Sequence, residues 1–273
     1  MLGLDKTFNF LYNVTTRFTL TRRRHKEQKD YQKKKRRLET ISPPEPKKIF
    51  HKKTVEAKSQ NQQDYLDAMD EQELICCIGP AGSGKTYLAV ATALLGMKSG
   101  RYKKIVITRP LVQADEDSGS LPGDLMKKLE PYLRPMYNEM NHFITPEIVK
   151  EWLRTKQLEI VPLGYMRGWN FHNTFVLADE SQNATYKQLK LLITRLGRRS
   201  TMVLTGDYTQ SDLHPSKQGG IYKMAKHVVP NVEDATVVEL TFADIQRGKL
   251  VANFLKACED YENETRTQQG ASP

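Results

Sequence analysis

A mostly parallel α/β sheet flanked by helices, with a basic N-terminal arm in front of it, is the fold class that this 273-residue sequence predicts. Three observations carry that expectation. From about residue 58 onward, short apolar runs alternate with amphipathic segments, the pattern of buried parallel strands joined by crossover helices. The octet Gly79-Pro80-Ala81-Gly82-Ser83-Gly84-Lys85-Thr86 follows one such run and opens an amphipathic segment, the context that a phosphate-binding loop requires. Another run, Thr174-Phe175-Val176-Leu177-Ala178, ends in the acid pair Asp179-Glu180.

Taken in order, the chain opens with the arm. Of its 42 Lys+Arg and 32 Asp+Glu, residues 1–60 hold 17 and 6, leaving 25 and 26 for the remaining 213, so the surplus of positive charge is N-terminal. Ten of the sixteen residues from Arg22 to Arg37 are basic, including Arg22, Arg23, Arg24, Lys33, Lys34, Lys35, Arg36 and Arg37. Ser42-Pro43-Pro44-Glu45-Pro46 then stops any helix. Residues 1–58 read as arm and linker: either an electrostatic anchor for nucleic acid or another anionic surface, or a solvated tail with no specific partner. Phe8, Phe10, Leu11 and Tyr12 are interspersed with polar residues, unlike the apolar centre of a signal peptide, although an Arg-rich transit peptide stays open as an alternative.

Beyond the linker, apolar runs predict strands at 74–78 (LICCI), 105–108 (IVIT), 158–161 (LEIV), 174–178 (TFVLA), 202–205 (MVLT) and 237–240 (VVEL). The segments between them predict helices at 62–69, 85–98, 124–137, 146–154, 186–196, 219–226 and 243–259. These elements make a domain at 59–263, followed by a flexible tail at 264–273. Hydrophobic residues make up 38% without a long apolar run, which excludes a membrane-spanning, collagen-like or mucin-like chain. Cys76, Cys77 and Cys258 are too few for a disulfide framework or a zinc site, so a reducing cytoplasm is expected. The histidines lack metal-ligand spacing, and Trp152, Trp169 and Cys258 read as packing residues.

The chemistry is concentrated at strand ends. In the loop, glycines let backbone N–H groups turn toward phosphates, Lys85 reaches the β- and γ-phosphates, and the Thr86 hydroxyl is the expected Mg²⁺ ligand. Gly79 to Thr86 and the following Tyr87 form the candidate nucleotide site. Asp179 is expected to hold the metal through water and Glu180 to polarise the attacking water, which favours hydrolysis over transfer to a second substrate. Thr205-Gly206-Asp207-Tyr208-Thr209-Gln210 ends another strand, where Gln210 either senses the γ-phosphate or belongs to an ordinary Gly-Asp turn. Arg109, at the end of the 105–108 strand, is equally suited to a nucleic-acid phosphate and to a carboxylate partner.

With GPAGSGKTYLA, ITRPLVQADED, LPGDLMKKLEPYLRPMY, YMRG, FVLADESQNAT, LITRLG, VLTGDYTQSDL and IQRGKLV in order, residues 61–261 resemble the PhoH-like ATPases. The resemblance implies a RecA-like fold, similar to the first motor domain of superfamily-one helicases, and Mg²⁺-dependent ATP hydrolysis linked to RNA or single-stranded nucleic acid. It further implies that Gln62 senses adenine, Gln210 the γ-phosphate, and Arg109 a nucleic acid. Arg247 matches a fixed arginine of the family, whereas Trp169 and Gly248 stand where the family usually has Arg and His. The fused nuclease domain of some members is not expected here, which leaves a partner nuclease as the expectation. Superfamily-one motors close their site with arginines of a second domain; a single domain therefore implies a ring-like homo-oligomer, a hexamer, completed by Arg247, Arg195, Arg198 or Arg167 of a neighbour. A small-molecule kinase and a nucleotide-switched nucleic-acid adaptor with negligible turnover are the rival readings.

Overall fold

The structure is a computed structural model and describes residues 55–110, 134–214 and 218–246, together with residues 248, 250, 251, 253, 254, 256–258 and 261. The basic arm with Arg22, Arg23, Arg24, Lys33, Lys34, Lys35, Arg36 and Arg37, most of the expected 124–137 helix, the tail at 264–273, and Arg247 all lie outside the described residues.

Six parallel strands form one sheet in the order β3-β2-β4-β5-β1-β6. They are β1 (Leu74–Ile78), β2 (Lys104–Thr108), β3 (Leu158–Ile160), β4 (Thr174–Ala178), β5 (Thr201–Gly206) and β6 (Ala235–Glu239). β1, β4 and β5 are buried throughout, because helices cover both faces of the sheet centre, while the outer β3 and β6 are only partly buried. The strand period of two divides their side chains between two cores. Ile75, Cys77, Phe175, Leu177 and Val203 point to one core; Leu74, Cys76, Val176, Met202 and Leu204 point to the other.

The first core lies under α1 (Gln60–Glu71), α2 (Lys85–Ser99), α3 (residues 134–141) and α4 (Pro146–Thr155). Ser59 caps α1 through its hydroxyl, which accepts from the Gln62 N–H. α2 is held close to its neighbours at Gly96, where a Cβ would lie 2.3 Å from the Tyr102 ring. The Tyr102 hydroxyl in turn donates to Thr201 Oγ1 at 2.8 Å, at the start of β5. α5 (Tyr186–Ile193), opened by a Thr185/Gln188 capping box, covers the second core with α6 (Gly220–Lys223).

The predicted strands are all present, each displaced by at most two residues at an end. The helices differ more. The expected 219–226 helix is a single α-turn at Gly220–Lys223 that widens into a π-turn at Met224–Val228. The expected 243–259 helix is interrupted: Thr241 and Asp244 cap a short turn at Phe242–Asp244, Ile245 is extended, and helical residues resume at 250. Trp152 is buried, Trp169 packs against the second core, and Cys76 and Cys77 are buried free thiols. Among the described residues no helix is long and apolar enough to cross a membrane.

Candidate nucleotide site

Parallel strands deliver the segments that follow β1, β2, β4 and β5 to one edge of the sheet. β5 lies between β1 and β4, so the phosphate loop and the acid pair face each other across one strand. A cavity of about 680 Å³ opens there, lined by Gln62, Ala81, Gly82, Gly84, Lys85, Thr86, Tyr87, Arg109, Asp179, Glu180 and Gln210, among others. Most of the sequence-predicted site is thus brought together. Gly79 and Pro80 line a smaller cavity of about 390 Å³ on the other side of the loop, and Ser83 is buried, its hydroxyl donating to the Pro80 carbonyl.

The loop takes its shape from glycine. Gly82 and Gly84 have φ of 83° and 96°, and a Cβ on Gly79 would lie 2.4 Å from the Leu240 carbonyl oxygen. The N–H groups of Ala81, Gly82 and Gly84 meet no acceptor among the described residues, so the loop presents free donors at the start of α2. Lys85 Nζ donates to the carbonyls of Gly79 (2.6 Å) and Pro80 (2.8 Å). Burial pulls the Lys85 pKa below its ordinary value, opposed by Cys77, Asp207, Glu180 and Asp179. A triphosphate fits this cradle: unpaired amides, one ammonium, and glycines where a side chain would collide.

Asp179 is only 2% exposed and accepts four hydrogen bonds from the protein. Its Oδ1 takes the hydroxyls of Thr86 and Thr205, both at 2.7 Å. Its Oδ2 takes Arg109, through Nε at 2.8 Å and through Nη2. Arg109 thus pairs with a carboxylate, one of the two partners that the sequence leaves open for it. The paired oxygens of Thr86 and Asp179 are hard donors of the kind Mg²⁺ prefers, and that ion typically takes one or two protein ligands beside substrate phosphates.

Glu180 projects from a left-handed backbone (φ 54°) with its side chain 49% exposed. Gln182 orients it. The Gln182 Nε2 donates to Glu180 Oε2 at 2.6 Å, and its Oε1 accepts from the Asp207 N–H at 3.2 Å, so one buried amide ties the acid pair to the end of β5. Gln210 stands on the turn that follows, its N–H donating to the Asp207 carbonyl at 3.1 Å.

Gln62, for which the resemblance implies an adenine-sensing role, lines the cavity and is also held within the protein. Its Nε2 donates to the carbonyls of Ser83 (2.9 Å) and Asp244 (3.3 Å), and its Oε1 accepts from the Lys58 N–H at 2.9 Å. Both ends of the amide are used within the protein. Arg195 and Arg198 sit where the strands begin, at the edge opposite the cavity, since their carbonyls bind the N–H groups of Phe171 and Asn173 ahead of β4. Within one chain they stand apart from the site. Arg167 is exposed. Sequence reasoning missed Gln182, Thr205 and Glu139. The first lies inside the quoted FVLADESQNAT stretch, while Glu139, whose carboxyl is pushed up chiefly by burial, reaches the cavity from α3 with no sequence signal.

The loop, the acid pair and the sheet edge that joins them define a P-loop nucleotide site on a parallel α/β sheet. The chain belongs to the PhoH-like protein family, which matches residues 54–259. A PhoH-like protein of Mycobacterium bovis is 40% identical over 210 residues, covering 77% of this chain and 59% of that protein. One of Bacillus subtilis is 40% identical over 205 residues, covering 75% and 64%. The chain thus spans about three-fifths of these relatives' length. Among solved structures, the Pif1 helicase from Candida albicans aligns with 68% of this chain and 40% of its own at 13% identity, with a TM-score of 0.36.

Proposed function

We propose that the protein is a cytoplasmic, Mg²⁺-dependent ATPase whose turnover is coupled to RNA or single-stranded nucleic acid, remodelling or unwinding it for a partner nuclease. One observation carries the hydrolytic reading: Glu180, tethered by Gln182 and open to the cavity, stands beside the Thr86–Asp179 pair and the phosphate loop. The free loop amides and Lys85 bind the β- and γ-phosphates. Thr86 and Asp179 would hold the metal, which when bound neutralises charge across those phosphates. Glu180 takes a proton from the attacking water as its oxygen bonds to the γ-phosphorus and the bond to the β–γ bridging oxygen breaks, leaving ADP and phosphate. Gln210 contacts the γ-phosphate from the β5 turn.

The proposal includes a ring-like homo-oligomer, a hexamer, in which a neighbour's arginine relieves charge on the γ-phosphate. Such a residue is typically worth about 10³–10⁵ in rate. Arg247 is the first candidate. Mixing Arg247→Ala with Lys85→Ala subunits tests it: activity above either variant alone supports completion by a neighbour, and full activity in a monomer at every concentration rejects it.

The deciding experiment measures ATP hydrolysis with and without RNA or single-stranded DNA, with assembly state followed in the same buffer. RNA-stimulated turnover supports the reading. Nucleotide binding without turnover under either condition replaces it with the switched adaptor.

A further inference from the structure

Asp179 has no acceptor capacity to spare. A carboxylate offers about four lone-pair directions, and Thr86, Thr205 and two nitrogens of Arg109 occupy the four hydrogen bonds it makes here. A divalent cation reaching this carboxylate has to take the place of a donor. The two hydroxyls are neutral, and Thr86 can turn its lone pairs toward a metal while staying in place. Arg109 is the one donor that carries a permanent positive charge, and a guanidinium and a divalent cation on one buried carboxylate repel each other.

We infer that Arg109 is the built-in counter-ion of the metal position: it neutralises Asp179 and excludes a lone divalent cation, so that metal enters with nucleotide. This rests on the reading of Thr86 and Asp179 as the metal ligands. Arg109 is a positioning residue in this scheme, since it acts through Asp179. Its exit is also visible. Glu180 Oε1 lies 3.9 Å from Arg109 Nη2, so a short swing exchanges one carboxylate for the next without leaving the guanidinium unpaired. Arg109 also joins β2 to the loop after β3, its carbonyl accepting from the Leu163 N–H at 3.0 Å, so the backbone that carries it is anchored while the side chain moves.

The test is Mn²⁺ binding to the full chain without nucleotide, followed by electron paramagnetic resonance, for wild type, Arg109→Ala, Arg109→Lys, Asp179→Asn and the Arg109→Ala/Asp179→Asn double variant. Removing the guanidinium leaves a buried carboxylate in need of a cation. Arg109→Ala is therefore expected to bind Mn²⁺ at least about tenfold more tightly than wild type, the scale of losing one close charge partner. Mn²⁺ alone should also raise its melting temperature. Arg109→Lys, which keeps the charge but loses the fork, should fall between, and the double variant should bind no better than Asp179→Asn. Equal Mn²⁺ affinity in Arg109→Ala and wild type overturns the inference, as does tight binding that persists in the double variant. If Arg109→Ala does not fold, Mn²⁺ affinity in Arg109→Lys identical to wild type overturns it equally. Titration of Mn²⁺ with ATP present separates this failure from failure of the underlying reading: if Asp179→Asn leaves metal-dependent ATP binding intact, Asp179 is not the metal ligand at all.

Discussion

Gln62 of α1 and Ser83 of the phosphate loop are joined by a buried hydrogen bond, Nε2 to carbonyl oxygen at 2.9 Å, so α1 braces the loop. A Cβ on the neighbouring Gly84 would lie 3.2 Å from the same Nε2, so the amide would have to give by a few tenths of an ångström. The brace is made by the Gln62 side-chain amide to the backbone of the loop.

Gln62→Ala is accordingly expected to weaken ATP, GTP and tripolyphosphate alike, by about tenfold each, the scale of one lost hydrogen bond of about 1–1.5 kcal/mol at a buried site. Equilibrium titration of the three ligands checks it. Selective loss of ATP, with GTP unchanged, would instead give Gln62 the adenine-sensing role that the family resemblance implies.

Lys85 and Glu180 occupy different parts of the cavity, and their variants should separate binding from chemistry. Lys85→Ala should lose nucleotide affinity, whereas Glu180→Gln should bind ATP normally and hydrolyse it at least ~10²-fold more slowly, as expected when a positioned general base is lost. Stopped-flow binding alongside steady-state phosphate release distinguishes them. Normal turnover in Glu180→Gln would remove its assigned role.

Much of this is legible in the sequence, for identifiable reasons. β1, β4 and β5 are covered on both faces, so they read as unbroken apolar runs, and the loop glycines and acid pair are fixed by their position at strand ends. β6, an outer strand exposed to polar surroundings, has a weaker pattern, and its start at Ala235 lies two residues ahead of the apolar run that marks it. The 3.6-residue period near 219–226 is real, but Pro230 and the turn around it widen the helix into a π-turn. Interactions such as Gln182 with Asp207, or Arg109 with Asp179, depend on which strands become neighbours, and no local pattern records that order.

Deletion of residues 1–40 should leave basal ATP hydrolysis unchanged while lowering RNA affinity. The motive is the surplus of basic residues in the arm. Every phosphate that the shortened chain no longer neutralises should reduce the slope of log affinity against log salt by about 0.7 for single strands. Binding curves at several salt concentrations measure this. An unchanged affinity and slope would reject the arm as an anchor.

Gly96→Ala should destabilise the domain by about 1–3 kcal/mol, the usual cost of forcing extra volume into a packed core. The added methyl meets the Tyr102 ring, which the bond to Thr201 Oγ1 holds in place. Chemical denaturation reads the loss. Tyr102→Phe, which frees the ring from Thr201, should lessen the additional cost of the alanine.

The cysteines should divide sharply in reactivity. Burial pushes the Cys76 thiol up to about 12 and raises Cys77 as well, so at pH 8 both stay protonated and unreactive. Cys258, partly exposed, should account for the thiol that reacts with a disulfide reagent in the native protein, and all three should react after denaturation. More than one fast-reacting native thiol would contradict the packing of β1.

The strand order sets a timetable for the nascent chain. Leu74 of β1 pairs with Met202 of β5 on one side and with Ala235 of β6 on the other, so neither neighbour exists until synthesis is well past the middle of the sequence. For that interval a wholly apolar strand waits with both edges bare, the condition that invites wrong pairing with other chains and calls for holding by a chaperone. The loop it carries can grip a phosphate only after the last strands arrive, because Gly79 is seated against Gly206 and Leu240. On the proposed function, nucleotide binds only the finished sheet, and its supply during synthesis would trap completed molecules without hastening their assembly.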